Sequence, residues 1–432
     1  EAFLYEEQTR RGISLKHFDE FNDVADHCTV CHRCEKPCPV DIDFGDVSIA
    51  MRNFLRVQGK KKTSPGTALA MAFLTAKDPA TIKLMRVGMI QFGFKAQRLG
   101  YKLGKWLGLT GGTVKAPPAT LGKPSIRTQV IHLINKPMPR NVPARTSRAL
   151  LDIESDTLIP VIRNPALTEQ QRDESEAVFY FPGCGSERLF SQVGLATQAM
   201  LWHAGATTVL PPGYLCCGYP QTAGGEEDKG QAISTSNRVL FHRVANTLNY
   251  LDIKTVVVSC GTCMDQLLNY QFDKIFPGCR LLDIHEYLYE KGIKLDGVKG
   301  VQYMYHEPCH TPMKHHSGIK VVNELMGQKV DLNDRCCGES GTLAVTRPDI
   351  STQIRFRKQE EVEAGAAKLR AGTALAFAPV GADKTTAAKT TALQGGRAKD
   401  ALFAVADGGT ALAVQDSVKI LTSCPSCLQG LA

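Results

Sequence analysis

From residue 177 onward, short apolar runs recur, and each leads within a few residues to cysteine. Ala177-Val178-Phe179-Tyr180-Phe181 carries no charge and is followed by Pro182-Gly183 and Cys184. Thr255-Val256-Val257-Val258-Ser259 delivers Cys260 and Cys263, and Thr207-Thr208-Val209-Leu210 lies between them as a third strand. Leu189, Val193, Ala196, Met200 and Leu201 recur at helical spacing, and a second helix is predicted near residues 226–250. Strands alternating with helices imply parallel pairing, and open parallel sheets hold ligands beyond the carboxyl ends of their strands. The cysteines fall at those ends. Residues 301–305, a helix near 317–326, a long helix from about 349 to 369 and residues 418–422 retrace the pattern and deliver Cys309, Cys424 and Cys427.

The first 175 residues have a different texture. Residues 1–27 are polar, acidic and read as helical. Val47, Ala50, Met51, Phe54 and Leu55 predict a helix that packs back over whatever precedes it. From 68 to 109 the pattern is helical again. Ile82, Met85, Met89, Ile90, Phe92 and Phe94 alternate there with Lys83, Arg86, Lys95, Arg98, Lys102 and Lys105. Eight prolines between 110 and 175 predict an irregular linker. The expected fold is α/β: a helical, ferredoxin-like 4Fe–4S unit over 1–110, a proline-rich linker over 111–175, and two repeated cysteine-rich units with parallel strands over 176–296 and 297–432.

Cysteine supplies the candidate chemistry. Cys184, Cys216, Cys217, Cys260 and Cys263 form one five-thiol pattern, and Cys309, Cys336, Cys337, Cys424 and Cys427 repeat it in the same order. Each adjacent pair is followed by glycine, in Cys216-Cys217-Gly218 and Cys336-Cys337-Gly338. Neighbouring thiolates repel, so a cation is required to hold them together, and glycine lets the backbone pass close to it. The second repeat has 86 residues between Cys337 and Cys424 where the first has 42 between Cys217 and Cys260. The excess fits residues 371–414, where Ala, Gly and Thr fill 26 of 44 positions and predict a low-complexity insertion. Upstream, Cys28, Cys31, Cys34 and Cys38-Pro39 have the gaps of two, two and three expected of a 4Fe–4S site, although zinc also accepts four thiolates. In two-cluster ferredoxins the fourth cysteine of such a run serves the other cluster. Cys38 is therefore expected to point away from Cys28, Cys31 and Cys34, toward ligands on a missing upstream segment. Cys279 lies outside every pattern and reads as a buried structural thiol. His306 and His310 flank Cys309 and suit either iron ligation and proton shuttling or a hydrogen-bonding role behind the ligands.

Composition narrows the choices. The 432 residues include 15 cysteines, too many for ordinary core use. No signal peptide is legible, so the thiols point to metal in a reducing, cytoplasmic setting rather than to disulfides. The chain starts at Glu1 without methionine, and both ends are expected to be cut. The net charge of +8 is unevenly placed: residues 51–150 hold 19 basic side chains and the single acid Asp78. Within it, residues 51–110 are expected to meet a partner, a quinone or a lipid surface, with the protein cytoplasmic or peripheral on the inner face of the cytoplasmic membrane. Nucleic acid is not expected, because no helix-turn-helix, finger or RNP-like signature accompanies the charge. No phosphate-binding glycine loop, Walker loop or nucleophile triad is legible.

These motifs resemble a known family. A Cys-x-x-Cys-x-x-Cys-x-x-x-Cys-Pro run followed by two Cys…Cys-Cys-Gly…Cys-x-x-Cys repeats is similar to the iron–sulfur subunit of glycolate oxidase. It also resembles the C-terminal half of fused FAD-linked oxidases and the catalytic subunits of heterodisulfide reductases. The resemblance covers about residues 20–60 and 176–432. It implies an iron–sulfur oxidoreductase that takes electrons from a flavin-linked oxidation of a 2-hydroxy acid, D-lactate or glycolate, and passes them to a quinone or another carrier. FAD would then sit on a flavoprotein partner or a missing N-terminal domain. By the same resemblance, each five-cysteine repeat holds an additional iron–sulfur cluster. Disulfide reduction at such a cluster, and a structural zinc scaffold, remain as alternatives.

Overall fold

The computed structural model describes residues 15–110, 125–140, 142–294, 301–339, 343–376 and 418–431. Five strands, β1 (Val161–Ile162), β2 (Ala177–Phe181), β3 (Thr207–Val209), β4 (Thr255–Val258) and β5 (Arg280–Asp283), form one sheet in the order β1-β3-β2-β4-β5. All neighbours are parallel except β1, which runs antiparallel to β3. A second sheet of β6 (Gln302–His306), β7 (Asp331–Asn333) and β8 (Val418–Thr422) is wholly parallel, in the order β7-β6-β8. The triple β3-β2-β4 therefore has its counterpart in β7-β6-β8. The fold is α/β with parallel sheets, as the alternation of apolar runs implies.

Every residue of β2 and β4 is buried, because helices cover both faces of a parallel sheet. One face carries Phe179, Phe181, Val256 and Val258 onto Phe241, Phe272 and Phe276. The Phe179 and Phe241 rings meet edge to face with centroids 5.0 Å apart, a favoured quadrupole geometry. The other face carries Val178, Tyr180 and Val257 into a core that also holds Tyr303, Tyr305, Val321 and Leu325. That second core is shared by the two repeats, so they form one packed body.

Helix Leu15–His27 packs on helix Phe44–Val57 through Phe18, Phe21, Ala25 and Leu55. Asp43 caps the second of these by accepting from Gly45 N–H at 2.6 Å. Helix Pro79–Arg86 runs through a π-helical stretch, Val87–Gly93, into helix Phe94–Trp106. Its inner side is pinned by Arg86, which is fully buried and donates to the carbonyls of Pro143, Ala144 and Leu189.

The structure departs from the sequence pattern in the proline-rich stretch. Helices Ile126–Leu133, Ser147–Leu151 and Glu169–Asp173 and strand β1 interrupt it. Ser125, Thr146 and Thr168 cap those helices, so short capped turns form between the prolines. The long helix of the second repeat, Pro348–Ala376, continues past the expected boundary, and the rest of the predicted insertion lies outside the described residues.

Candidate metal centre

The parallel sheets place the cysteines as their strand ends require. Cys184 follows β2, Cys260 follows β4, Cys309 follows β6 and Cys424 follows β8, each within three residues of the strand end. Tyr180 on β2 hydrogen-bonds Ser259, just before Cys260, at 2.9 Å; Tyr305 on β6 does the same to Ser423, just before Cys424, at 3.2 Å. The repeat is thus preserved in the polar contacts that fix the loops. Gly218 and Gly338 both take positive φ, 92° and 77°, which only glycine adopts without strain. A side chain on Gly338 would also meet the Ser351 carbonyl at 2.8 Å. In the first repeat Asn237 donates to the Cys216 carbonyl at 2.7 Å and Tyr270 to that of Cys217 at 2.8 Å.

The ten repeat cysteines and Cys31 cluster, and neighbouring thiols among them shift one another's ionisation. Cys184 pairs with Cys216, Cys217 with Cys263, and Cys260 with Cys424 of the other repeat. Cys337 and Cys427 sulfurs lie 3.5 Å apart, Cys309 and Cys336 sulfurs 3.6 Å apart, and Cys309 in turn meets Cys31. The adjacent pairs and the Cys-x-x-Cys pairs complete the group. A cavity of about 820 Å³ opens over it, lined by nine of the ten repeat cysteines together with Cys28 and Cys31. Arg52, Arg56, Lys61, Lys229 and Arg347 stand in its walls.

Ionisation is divided unevenly among these thiols, four lowered and seven raised. The Cys309 thiol brings Cys31 down to about 5, and hydrogen bonds from Cys216 and Cys263 bring Cys217 down to about 6. Cys260 is lowered by Cys263 and Cys424, and Cys336 by Cys309 and Cys337. Their partners Cys184, Cys263, Cys309, Cys337, Cys424 and Cys427 are pushed up by the same contacts and by burial. Cys216 gains from Cys184, but Cys217 and burial outweigh this and raise it to about 12. Protein groups alone therefore cannot ionise all eleven at once. A polynuclear cation would, and two orphaned buried groups point the same way. Arg188 is fully buried beside Cys184, with Nε and one terminal nitrogen lacking partners among the described residues. His306 is likewise buried, its Nε2 has no partner, and a ring nitrogen lies within 4.8 Å of the Cys337 and Cys427 sulfurs. Two guanidinium N–H groups and a ring nitrogen without partners near clustered sulfurs fit an anionic metal–sulfur group.

The upstream run is docked onto both repeats. Arg52 donates to the carbonyls of Ala25, Cys28 and Ala223; Arg33 donates to those of Glu307, Pro308 and Asp334. Cys28 accepts from Val30 N–H, Cys34 from Phe44 N–H and Cys38 from Ile42 N–H, each at 3.3 Å. Cys31 instead turns to Cys309. Cys28 and Cys31 line the shared cavity, and Cys34 and Cys38 do not. Val30, His32 and Asp41 adopt left-handed backbone, φ 52°, 55° and 52°, so this loop holds strain at the site.

Of the flanking histidines, His310 joins all three parts. It contacts the Asp265 carboxylate at 2.5 Å, the Val30 carbonyl at 2.8 Å and the Tyr219 hydroxyl at 3.1 Å. Cys279 is only partly buried, packs at the edge of the aromatic core and is raised to about 11 by burial. It takes no part in that group. Sequence reasoning missed Arg33, Arg52 and Arg188. Arg188 had a local signal, since Gly185-Ser186-Glu187-Arg188 places charge inside an otherwise apolar stretch.

Comparison with known proteins shows what the chain is similar to. A model of the CCG cysteine-rich domain matches residues 178–268 and again 303–371. Each repeat thus carries a match to the CCG cysteine-rich domain. An uncharacterized iron–sulfur protein of Methanocaldococcus jannaschii is 27% identical over 45% of this chain, and the match spans only 39% of that protein. Lactate utilization protein A of an Exiguobacterium species is 25% identical over 45% of this chain and 84% of its own length. The glycolate oxidase iron–sulfur subunit of Escherichia coli is 23% identical over 79% of this chain and 73% of its own length. No solved structure matches. The family resemblance drawn from the cysteine spacing therefore stands.

Proposed function

We propose that this protein is the iron–sulfur electron-transfer part of an oxidoreductase. It takes electrons from flavin-linked oxidation of a 2-hydroxy acid of the D-lactate or glycolate type and hands them to a quinone or another carrier. The observation that carries this reading is the clustering of the repeat sulfurs with Cys31 around one cavity, which joins both repeats to the upstream run. Relatives named for glycolate oxidase and lactate utilization support the substrate class and a flavoprotein partner. Each repeat's five cysteines would hold one cluster, and Cys28, Cys31 and Cys34 would supply ligands of a 4Fe–4S cluster, with Cys38 serving another. Bound clusters supply one-electron redox chemistry. The chain's own groups do the rest: burial excludes water, N–H groups donate to the sulfurs of Cys28, Cys34 and Cys38, and Arg188 offsets negative charge at Cys184.

The cavity supports a second reading. Clusters held by these sulfurs would take up part of the cavity of about 820 Å³, and its lining extends beyond the cysteines to Thr67, Met71 and Lys229. A small disulfide would fit there, and its reduction would consume two electrons and two protons to give two thiols. Metal analysis and visible absorption of anaerobically purified protein test the common ground. Iron with a broad charge-transfer band supports both readings; a colourless protein with stoichiometric zinc removes both. Bleaching of that band by a reduced flavoprotein then supports the first reading, and bleaching reversed only by a disulfide supports the second.

A further inference from the structure

One exposed surface has no part in the cysteine site. Along the helical rod from Pro79 through the π-helical stretch to Trp106, the inner side is taken by Ile82, Arg86, Ile90 and Gly104, all buried. The outer side carries Leu84, Phe92, Leu99, Leu103 and Trp106, with Leu84 74% and Trp106 80% exposed. Leu99, Leu103 and Trp106 follow α-helical spacing, and Phe92 lies two turns earlier. Leu84 lies eight residues before Phe92, and the wider π turns absorb the extra residue. The apolar stripe is therefore continuous, and exposed Leu107 and Leu109 extend it past the helix end. Lys83, Lys95, Lys102 and Lys105 are exposed beside it, and no acid follows Asp78 in this rod. A water-facing helix does not keep five large apolar side chains in line, whereas a helix lying at a lipid interface does.

We propose that this rod lies on an anionic membrane surface, with the Leu84–Trp106 side in the headgroup–acyl boundary and the lysines against lipid phosphates. Charge complementarity selects this occupant: lysines flanking an apolar stripe suit anionic headgroups, and tryptophan at a helix end suits the interface. Among the described residues no helix is long and apolar enough to cross a membrane, so attachment here is to one surface. The inference rests on the rod alone and not on the electron-transfer reading.

Full-length protein would be sedimented with phosphatidylcholine vesicles, with or without phosphatidylglycerol. Binding is expected to the anionic vesicles and to fall with added salt. Each lysine changed to glutamine should weaken it by roughly fivefold, from about 1 kcal/mol per charge near the surface. Phe92→Ser, Leu99→Ser and Trp106→Ser together should abolish binding while leaving metal content and circular dichroism unchanged, because these side chains are in water in the free protein. The chain has two tryptophans, so Trp202→Phe leaves Trp106 as the sole reporter, and its emission should shift to the blue on vesicles. Absence of anionic-vesicle binding, an unshifted Trp106, or self-association relieved by the same serine changes would overturn the proposal.

Discussion

The two repeats share their strand order, their Tyr–Ser clasps and their positive-φ glycines, yet their surroundings differ. The last residue of β2 is Phe181, and the last of β6 is His306. In the first repeat Cys184 is buried beside Arg188, and the Cys216-Cys217 backbone is held by the neutral groups of Asn237 and Tyr270. In the second repeat Cys309 is only partly buried and meets Cys31. There the Asp334-Arg335 backbone donates to Glu361, and Lys358 donates to the Asn333 carbonyl at 3.1 Å. The duplication thus keeps the sulfur scaffold and varies what surrounds it. Polarity, charge and burial around sulfur set cluster potential, so the two repeats differ there: the first has the more buried sulfurs, and the second is the one whose Cys309 meets the upstream Cys31.

The largest expected effect is on metal. Cys217→Ser should remove the first repeat's metal, and Cys337→Ser the second's, each leaving the other repeat loaded; iron per chain measures this. If either change empties both repeats, they are one site rather than two. Next comes the shared core. Leu201→Ala and Leu325→Ala should each cost about 2–5 kcal/mol, both moving a single unfolding transition. Two separate transitions in calorimetry would show that the repeats do not share stability as their common core requires.

A smaller change tests the connection. Arg33→Ala removes charged hydrogen bonds to the Glu307, Pro308 and Asp334 carbonyls, with a cost of about 1.5–3 kcal/mol. Protease cleavage near residues 28–44 should rise, whereas the first repeat's metal should be unaffected. The smallest effect is acid sensitivity in the second repeat. Burial raises Asp349, but Arg347 and Gln129 outweigh it and hold it below the ordinary value of 3.8. A depressed carboxylate contributes stability above its unfolded pKa and loses it as pH falls through the folded value. Asp349→Asn should therefore flatten the loss of stability below about pH 4.

The repeat was legible because strand and sulfur are neighbours in sequence: Phe181 and Cys184, or Thr422 and Cys424, announce each other locally. What was not legible is long-range. Nothing near Cys260 reports that Cys424 will meet it, and nothing near Cys31 reports Cys309, because sheet packing brings these pairs together. Arg33 and Arg52 escaped notice for the same reason, since their acceptors are carbonyls of distant loops. Strand β7 was invisible because Asp331-Leu332-Asn333 is short and polar, and its place is set by pairing with β6. The proline-rich stretch hid its helices because capping by Ser125, Thr146 and Thr168 outweighed the proline density.

The central claim is that the sulfurs of both repeats belong to one cluster around a shared cavity, meeting near Cys260 and Cys424. Electron paramagnetic resonance of anaerobically reduced protein tests this most directly. Groups held by the two repeats should be close enough to couple, so the wild-type spectrum should be broadened or split. Cys217→Ser and Cys337→Ser should each give a simpler, uncoupled spectrum. A wild-type spectrum equal to the sum of the two single-repeat spectra would contradict the account.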